Sequence, residues 1–377
     1  MALKIGVLNE TSGTERRVSL VPDDARKLIS TDLEILVQSG SGMPSGFSDS
    51  DYTSAGCTVL SRRTDIISAV DFLIYLGRPL PEDIDSISRK TTVIGLIYPT
   101  RNTALVEQLS AKGATVYSLE LLPRTTRAQS MDVLSSQSSV AGYRAAITGA
   151  FYMRKLMPML TTAAGTVKPA SVLVIGAGVA GLMAIATAKR LGASVLAYDV
   201  RKAAGDDVRS LGAKFLEVDF NAEGGGGYAR TLTEDEKRRE RELLESAIVS
   251  SDLIITAAGV PGKRAPVIID TETVTKMKAG SVIVDIMAEY GGNCELTVPG
   301  KVSDHNGVMI IGLLNAQSDG SVDASRMFSK NILAFLSILI GRKEKIADAT
   351  ADEILSACLI CSNGKITHPQ LLNGGEL

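Results

Sequence analysis

Apolar residues near the start of the chain alternate between short continuous runs and longer segments in which they recur at helical spacing. The short runs predict strands at 4–7, 34–38, 58–60, 72–76, 92–97 and 115–121. The longer segments predict helices that include 23–29 and 104–111. Strands that alternate with helices form parallel sheets joined by crossover helices, so this pattern predicts a parallel-sheet domain.

The same alternation returns after Pro169, following a segment at 141–160 whose apolar residues predict a long helix. The second set of predicted strands is 172–175, 195–198, 214–218, 253–256, 282–286 and 309–311, with helices at 181–191 and 206–211. A further helix from 324 to 340 and onward is expected to pack back against the first domain. We therefore predict an α/β fold with two Rossmann-like, doubly wound parallel-sheet domains and a cleft between them, at 1–137 plus 325–377 and at 138–324.

The composition is typical of a soluble α/β protein and excludes several classes of function. The chain has 377 residues, of which 22% are charged, and its formal net charge of −2 does not provide the basic surface of a nucleic-acid-binding protein. Its four cysteines are too sparse for a secreted disulfide scaffold. Three glycines interrupt the apolar run at 171–188, which favours a strand, a turn and a helix over a membrane span. We expect a cytoplasmic chain that neither binds nucleic acid nor inserts into a membrane.

A glycine-rich segment follows the predicted strand at 172–175 and opens the next helix. Its sequence is Gly176-Ala177-Gly178-Val179-Ala180-Gly181. Gly176 permits a tight turn, Gly178 lets the backbone approach a pyrophosphate, and Gly181 lets the helix pack closely on the strand. The helix N-terminus offers unpaired N–H groups and a partial positive charge to the phosphates. The segment therefore predicts a dinucleotide-binding loop in the second domain.

An acidic residue follows the next predicted strand, which ends at Tyr198. It is Asp199, 18 residues after Gly181. At about this separation a carboxylate accepts hydrogen bonds from the adenosine ribose and repels a 2′-phosphate, which favours NAD(H) over NADP(H). We expect Asp199, Val200 and Arg201 to lie beside the adenosine. Because Arg201 is a cation two residues from the acid, it weakens this selectivity.

A polar segment at 124–137 has neither helical nor strand periodicity and predicts a loop. Its Arg124, Gln129 and Asp132 side chains can orient a nicotinamide ribose and carboxamide through directed hydrogen bonds. From the residues alone, a purely structural loop is the favoured interpretation and the nicotinamide contact is the alternative.

Several segments together resemble one known family. They are Pro-Arg-Thr-Thr-Arg-Ala-Gln-Ser-Met-Asp-Val-Leu-Ser-Ser-Gln (123–137), Ala-Gly-Thr-Val (164–167), the Gly176 segment with Ala-Ile-Ala-Thr-Ala-Lys-Arg-Leu-Gly-Ala (184–193), and Val-Thr-Lys-Met-Lys-Ala-Gly-Ser-Val-Ile-Val-Asp (274–285). Glu-Arg-Arg-Val (15–18), Gly-Gly-Asn-Cys (291–294) and His-Pro (368–369) extend the resemblance nearly end to end. The chain resembles the NAD(H)-binding component, the soluble part of the alpha subunit, of proton-translocating NAD(P) transhydrogenase, in the family that includes alanine dehydrogenases.

The resemblance implies which residues hold and orient the coenzyme. In this family the polar loop holds the nicotinamide half, which corresponds here to Arg124, Gln129, Asp132, Val133, Leu134 and Ser135. A mobile loop closes a tyrosine over the site, which corresponds to Tyr228 after Gly227, and Gly259 contributes on the adenosine side. Two positions depart from the family's pattern, since the loop carries four consecutive glycines at 224–227, and Ala-Gly-Val-Pro at 258–261 replaces Ala-Leu-Ile-Pro.

The resemblance also implies an activity and its partners. It implies reversible hydride transfer between NADH on this chain and NADP(H), a second substrate bound on a partner component, coupled to proton movement through a membrane component. The residues expected to act in catalysis are Arg124, Gln129, Asp132, Ser135 and Tyr228. The family's component is a homodimer, and it is peripheral on the cytoplasmic face of the inner membrane, or on the matrix side in a mitochondrion.

An alanine dehydrogenase-like amino-acid dehydrogenase and a non-catalytic NAD(H) sensor are the alternatives. The dehydrogenase needs an acid or base and cationic groups for its substrate's carboxylate, typically a Lys and a His. Residues 77–79 and 97–100 occupy the segments where that family carries them, and they contain neither residue, although Arg17 remains. A sensor has no evident use for the nicotinamide residues of the polar loop.

The remaining histidines and the paired cysteines are interpreted as structural. His305 is predicted to lie in a turn before a strand, and His368 lies beside a proline. Cys358-Leu-Ile-Cys361 is predicted to be a buried strand, because its intervening residues are apolar and no second pair accompanies it. The sequence therefore predicts no metal site.

Overall fold

The computed structural model describes residues 2–29, 33–217, 234–259, 264–341, 345–346 and 352–372. The chain forms two compact units. Unit 1 comprises Met1–Gln137 and Gln317–Leu377, and unit 2 comprises Ser138–Ala316. Each unit contains a mostly parallel sheet with hydrophobic clusters on both faces. The predicted α/β class with two doubly wound, mostly parallel sheets is confirmed.

The elements within the described residues are numbered in chain order. The strands are β1 (Lys4–Val7), β2 (Glu34–Gln38), β3 (Thr58–Leu60), β4 (Phe72–Ile74), β5 (Thr92–Gly95), β6 (Thr115–Ser118), β7 (Leu160–Thr162), β8 (Gly165–Val167), β9 (Ser171–Ile175), β10 (Ser194–Tyr198), β11 (Lys214–Phe215), β12 (Leu253–Thr256), β13 (Val282–Asp285), β14 (Val302–His305), β15 (Val308–Gly312), β16 (Ile340–Gly341), β17 (Lys345–Ile346), β18 (Leu359–Ser362) and β19 (Lys365–Ile366). The α-helices are α1 (Pro22–Ile29), α2 (Asp49–Ser54), α3 (Arg63–Ala69), α4 (Thr103–Ala111), α5 (Val133–Tyr152), α6 (Val179–Arg190), α7 (Ala204–Ser210), α8 (Glu234–Ser250), α9 (Thr271–Lys276), α10 (Ser321–Leu339), α11 (Glu353–Cys358) and α12 (Pro369–Leu372).

Unit 1 contains an eight-stranded sheet in the order β19-β18-β6-β5-β4-β1-β2-β3. Strands β1 to β6 are parallel, and β18 and β19 add an antiparallel edge. The chain's progression reverses between β1 and β4, and the carboxyl ends of strands at such a reversal are where doubly wound sheets place ligands. Helix α10 buries Phe328, Ile332, Phe335 and Leu339 at helical spacing in the core of this unit. Helix α10 therefore packs within the core of unit 1.

Unit 2 contains a seven-stranded sheet in the order β11-β10-β9-β12-β13-β15-β14. Six of these strands are parallel, and β14 pairs antiparallel with β15 at the edge. The parallel strands follow the 3-2-1-4-5-6 order of dinucleotide-binding sheets, with β9 and β12 flanking the reversal. All four residues of β12 and of β13 are buried, as expected for strands covered on both faces. The carboxyl end of β9 therefore lies at the ligand-binding position of the sheet.

Strand β14 was not predicted, and the assignment of His305 to a turn is wrong. His305 is the last residue of β14 and pairs with Val308 across a two-residue turn of Asn306 and Gly307. Both turn residues have positive φ, 54° and 84°, which is the backbone that two-residue hairpins prefer. The strand escaped prediction because its alternating residues are polar or partly exposed.

Helix α5 also differs from the prediction. Residues 126–131 form a 3-10 helix and α5 begins at Val133, within the predicted loop, because the Asp132 carboxylate accepts the Ser135 N–H at 2.9 Å and caps the first turn. The helix ends at Tyr152 rather than at 160, ahead of Pro158, which lacks the N–H that a helix interior needs. Across the described ranges, no helix is both long and apolar enough to span a bilayer.

Candidate dinucleotide site

The glycine-rich turn joins β9 to α6 in unit 2. Gly176 has a φ of +96°, and a Cβ at this position would lie 2.7 Å from the carbonyl of Ala257. A Cβ at Gly181 would lie 1.7 Å from the carbonyl oxygen of Gly176, so the helix can approach the turn only because this side chain is absent. The first and third glycines are therefore required by contacts within the protein itself.

The second glycine, Gly178, differs from these two. It is the N-cap residue of α6, with extended backbone and no side-chain cap, and a Cβ there would meet no atom of the described residues within 4 Å. Gly178 and Val179 are exposed, Ala180 is half-buried, and Ala177 is buried beneath them. Packing among the described residues does not explain a glycine at 178, whereas close approach of a ligand to the backbone would require one. The first-turn N–H groups of α6 are suited to an anion.

Asp199 follows β10 and contacts the same turn. One of its oxygens accepts the Ala177 N–H at 2.8 Å, and both oxygens accept hydrogen bonds from the Arg201 guanidinium at 3.0 Å. Burial alone would raise the pKa of this carboxyl, but hydrogen bonds from Arg201 and Ala177 outweigh it and hold the pKa below its usual range. Asp199 is therefore ionised at neutral pH beside the glycine-rich turn. Val200, next to it, is exposed.

Asn293, for which no role was predicted, holds the segment after β12. Its amide donates to the carbonyls of Ala258 at 2.7 Å and Pro266 at 2.8 Å, and its oxygen accepts the Ala258 N–H at 3.1 Å. The segment passes beside Gly176. It includes Gly259, which is exposed and directly follows Ala258, the residue that Asn293 binds. Residues 260–263 lie outside the described residues. Asn293 thus fixes both described ends of a segment that borders the turn.

A fully buried carboxylate, Asp285 at the end of β13, supports Asn293 in turn. It accepts hydrogen bonds from the backbone N–H of Asn293 at 2.8 Å and of Cys294 at 3.1 Å, and from the Thr297 hydroxyl at 2.8 Å. It also accepts the Thr256 hydroxyl at 2.9 Å and the Met287 N–H at 3.0 Å. A buried carboxyl group that accepts five hydrogen bonds is well satisfied. The signal available in the sequence was an acid at the end of a continuous apolar strand, Val282–Asp285.

The predicted nicotinamide residues lie in unit 1, in and beside the 3-10 helix at 126–131. The side chains of Arg124 and Gln129 are exposed, and neither has a hydrogen bond or ion pair with the residues that the structure describes. Asp132 accepts the Ser135 hydroxyl at 2.6 Å as well as its N–H, so these two residues are paired with each other. The Val133 side chain is fully buried, which leaves its main chain for any ligand contact. Leu134 is half-buried.

The structure brings the predicted residues together in two groups, one in each unit. Unit 2 gathers the glycine-rich turn, Asp199 and Arg201, whereas unit 1 gathers Arg124, Gln129, Asp132 and Ser135. Gly227 and Tyr228, the residues expected to close over the coenzyme, lie outside the described residues.

The carboxyl ends of β1 and β4 in unit 1 carry acidic and basic side chains instead of a glycine-rich turn. Glu10 accepts the Leu76 N–H at 2.7 Å, and Arg17 forms a buried ion pair with Glu15 at 2.6 Å and donates to Gln137 at 2.8 Å. Arg17 is therefore held by the protein's own side chains rather than directed at solvent. Burial raises the pKa of Glu10 to about 7, against the lowering effect of the backbone donors.

We expect Glu10→Gln to remove a pH dependence of stability. A carboxyl whose pKa is raised in the folded state contributes stability below about pH 4.5 and loses it as the pH rises through about 7. Between pH 5 and pH 8 the wild type should therefore lose about 1–3 kcal/mol of its free energy of unfolding that the variant keeps. Urea unfolding at several pH values measures this, with Glu107→Gln on the exposed surface of α4 as control. Parallel pH curves for wild type and Glu10→Gln would contradict the raised pKa.

Comparison with known proteins covers both units. Residues 6–141 match the family model "Alanine dehydrogenase/PNT, N-terminal domain", and residues 145–369 match "Alanine dehydrogenase/PNT, C-terminal domain". The chain is 42% identical over 383 residues to the NAD(P) transhydrogenase subunit alpha protein of Rhodospirillum rubrum, covering 99% of this chain and 100% of that protein. It is 28% identical over 373 residues to alanine dehydrogenase of Bacillus subtilis, covering 97% and 92%.

A solved structure agrees with these matches. The crystal structure of transhydrogenase from Sinorhizobium meliloti superposes on this chain with a TM-score of 0.87 at 36% identity, covering 97% of this chain and 100% of that one. The resemblance that the sequence motifs indicated is thereby confirmed. The chain belongs to the alanine dehydrogenase/PNT family, and within that family it is related to the alpha subunit of NAD(P) transhydrogenase.

Proposed function

We propose that this chain is the NAD(H)-binding component of a proton-translocating NAD(P) transhydrogenase. It binds NADH through unit 2, and a hydride passes directly and reversibly to NADP⁺ on a partner component, giving NAD⁺ and NADPH. The observation that carries the proposal is the turn before α6, where Gly178 is explained by a ligand and not by packing, beside the ionised Asp199.

The chain's residues bind and orient NADH rather than carry protons. The uncapped N-terminus of α6 receives the pyrophosphate, and Asp199 receives hydroxyls of the adenosine ribose. Arg124 and Gln129 are exposed and available for the nicotinamide half, while the Asp132–Ser135 pair fixes the start of α5 next to them. The two nucleotides supply the hydride chemistry, so no general acid or base is needed from the protein.

The other predicted contacts complete this proposal. Tyr228, after Gly227, closes over the bound NADH, and Gly259 contributes on the adenosine side. The membrane component that moves protons and the component that holds NADP(H) are separate partners, and the chain is peripheral on the cytoplasmic face of the inner membrane or on the matrix side. The relatives support this because they are named as subunits of NAD(P) transhydrogenase.

An alanine dehydrogenase activity is disfavoured by the carboxyl end of the unit 1 sheet. There Arg17 is already bound by Glu15 and Gln137, and residues 75–77 and 96–99 provide neither a lysine nor a histidine. Identity to the transhydrogenase relative is 42%, against 28% to the alanine dehydrogenase. A non-catalytic sensor shares the NADH site, so only an assay of hydride transfer separates it from the proposed function.

The test mixes the purified chain with NADH, an oxidised NAD analogue and a separately expressed NADP(H)-binding component of a transhydrogenase. Rapid reduction of the analogue that requires both proteins and NADP(H) is the expected result. L-Alanine and pyruvate serve as controls, and turnover of either without the second component would replace the proposal with a dehydrogenase. NADH binding without any hydride exchange would identify a sensor.

We also propose that the chain forms a homodimer through the end of α5 and the β7–β8 hairpin. Phe151 is 80% exposed, and every residue of both hairpin strands is exposed, including Leu160 and Val167. A two-stranded hairpin whose residues are all exposed is marginally stable on its own in water, and exposed apolar side chains favour an interface there. A second copy of the chain supplies a matching apolar surface by twofold symmetry.

Phe151→Glu is expected to shift the chain toward the monomer. A carboxylate in an apolar interface is desolvated without a partner, which costs several kcal/mol unless the interface opens. Light scattering across a concentration series measures the mass, to be compared with the 39.8 kDa of one chain. Val302→Glu, on the exposed edge strand β14, is the matched control and should leave the mass unchanged. A dimer that survives Phe151→Glu would exclude this surface.

A further inference from the structure

Arg201 lies directly over the acid of the proposed adenosine subsite. Its Nε donates to one oxygen of Asp199 at 3.0 Å and its Nη2 donates to the other at 3.0 Å, which is the paired geometry of a guanidinium on a carboxylate. The Arg201 backbone N–H donates to the first oxygen at 2.9 Å, and Nη2 also reaches the Ala177 carbonyl at 3.3 Å. The guanidinium thus bridges the acid and the glycine-rich turn.

This arrangement occupies the same two oxygens that a ribose needs. The 2′- and 3′-hydroxyls of an adenosine ribose are two neighbouring donors, and the two oxygens of a carboxylate accept hydrogen bonds from them. The side chain of Asp199 is only 7% exposed, whereas that of Arg201 is 63% exposed. The arginine is therefore the outer of the two, and a ribose reaches the acid by displacing it.

We infer that Arg201 is a specificity-determining residue that reduces the preference of the NAD(H) site for NADH over NADPH. It does so in two ways, by competing with the ribose for Asp199 and by offering a cation to a 2′-phosphate. The inference rests on the proposed function, since it assigns the Asp199 subsite to the adenosine ribose.

The two effects differ in size. An ion pair in which the cation is largely exposed to solvent changes an equilibrium constant by about fivefold, so competition by Arg201 weakens NADH binding only modestly. A charge-assisted hydrogen bond to a phosphate is stronger and corresponds to roughly a 10- to 100-fold change. The attraction for the 2′-phosphate therefore dominates, and the pairing with Asp199 also reduces the repulsion between that acid and the phosphate.

The test measures dissociation constants for NADH and NADPH by fluorescence titration of the full chain at low ionic strength. Arg201→Met keeps the length of the side chain and removes its charge and donors. We expect NADH binding to tighten by up to about fivefold and NADPH binding to weaken by roughly 10-fold or more. Arg201→Lys keeps the charge without the paired donors, and it should retain most of the NADPH affinity.

Arg209→Met is the matched control. Arg209 is also an exposed arginine of unit 2, paired with Asp206 at 2.8 Å and Glu217 at 2.6 Å, and its loss should leave both dissociation constants unchanged. Equal weakening of NADH and NADPH in Arg201→Met would overturn the inference, because it would make Arg201 a plain contact to both nucleotides. An unchanged NADPH-to-NADH ratio would overturn it as well. If the wild-type chain binds neither nucleotide, the proposed function itself fails.

Discussion

Gly178→Ala is expected to weaken NADH binding by roughly 10- to 100-fold while leaving the free energy of unfolding within about 0.5 kcal/mol of wild type. An added methyl at this position meets no atom of the described residues within 4 Å, and the backbone, with φ −80° and ψ −170°, is accessible to alanine. We therefore expect the methyl to contact a ligand that approaches the start of α6. NADH fluorescence titration and urea unfolding measure the two quantities separately.

Gly181→Ala is the comparison variant for interpreting this result. Its Cβ would lie 1.7 Å from the Gly176 carbonyl oxygen, so the turn or the helix must move, and both stability and NADH binding should fall. Loss of binding in both variants, with loss of stability only in the second, separates the ligand's requirement from the protein's. If Gly178→Ala bound NADH as wild type does, the pyrophosphate would not approach the backbone at this residue.

The sheets were predictable because their strands are buried on both faces. A run such as Leu253–Ile255 is continuously apolar whatever its surroundings, so the sequence alone identifies it. β14 was missed because an edge strand with polar residues lacks that signature, although the turn of Asn306 and Gly307 beside it was a readable hairpin signal. Likewise, the start of α5 depends on a cap at Asp132, and apolar spacing does not report caps.

The candidate site was predictable only where its determinants are close in sequence. The glycine-rich turn and Asp199 lie on consecutive strands of one unit, and their spacing is fixed by one helix and one strand. Asn293 contacts Ala258 and Pro266 from 35 and 27 residues away, a relation that only the folded sheet creates. Arg201 and Asp199 are equally close in sequence. The sequence does not show, however, that the guanidinium binds both oxygens of the acid, which is what makes it compete with the ribose.

Gln129→Asn is expected to slow hydride transfer to the NADP(H) component by roughly 10- to 100-fold while changing the dissociation constant for NADH by less than about threefold. The Gln129 side chain is exposed and makes no hydrogen bond with the described residues, so shortening it by one methylene should leave the fold intact. If its amide orients the nicotinamide, the shorter side chain holds the ring in a displaced position, and a displacement near 1 Å costs far more in rate than in binding.

Single-turnover kinetics at saturating NADH, together with NADH titration, separate these two quantities for Gln129→Asn. Gln108→Asn, the same substitution at an exposed position on α4, is the matched control and should leave both at wild-type values. A loss of NADH affinity with an unchanged rate at saturating NADH would reduce Gln129 to a simple contact, because an interaction made equally in the ground state and the transition state lowers affinity without slowing the bound reaction. A slower transfer with unchanged binding is the pattern expected of a residue that orients the nicotinamide.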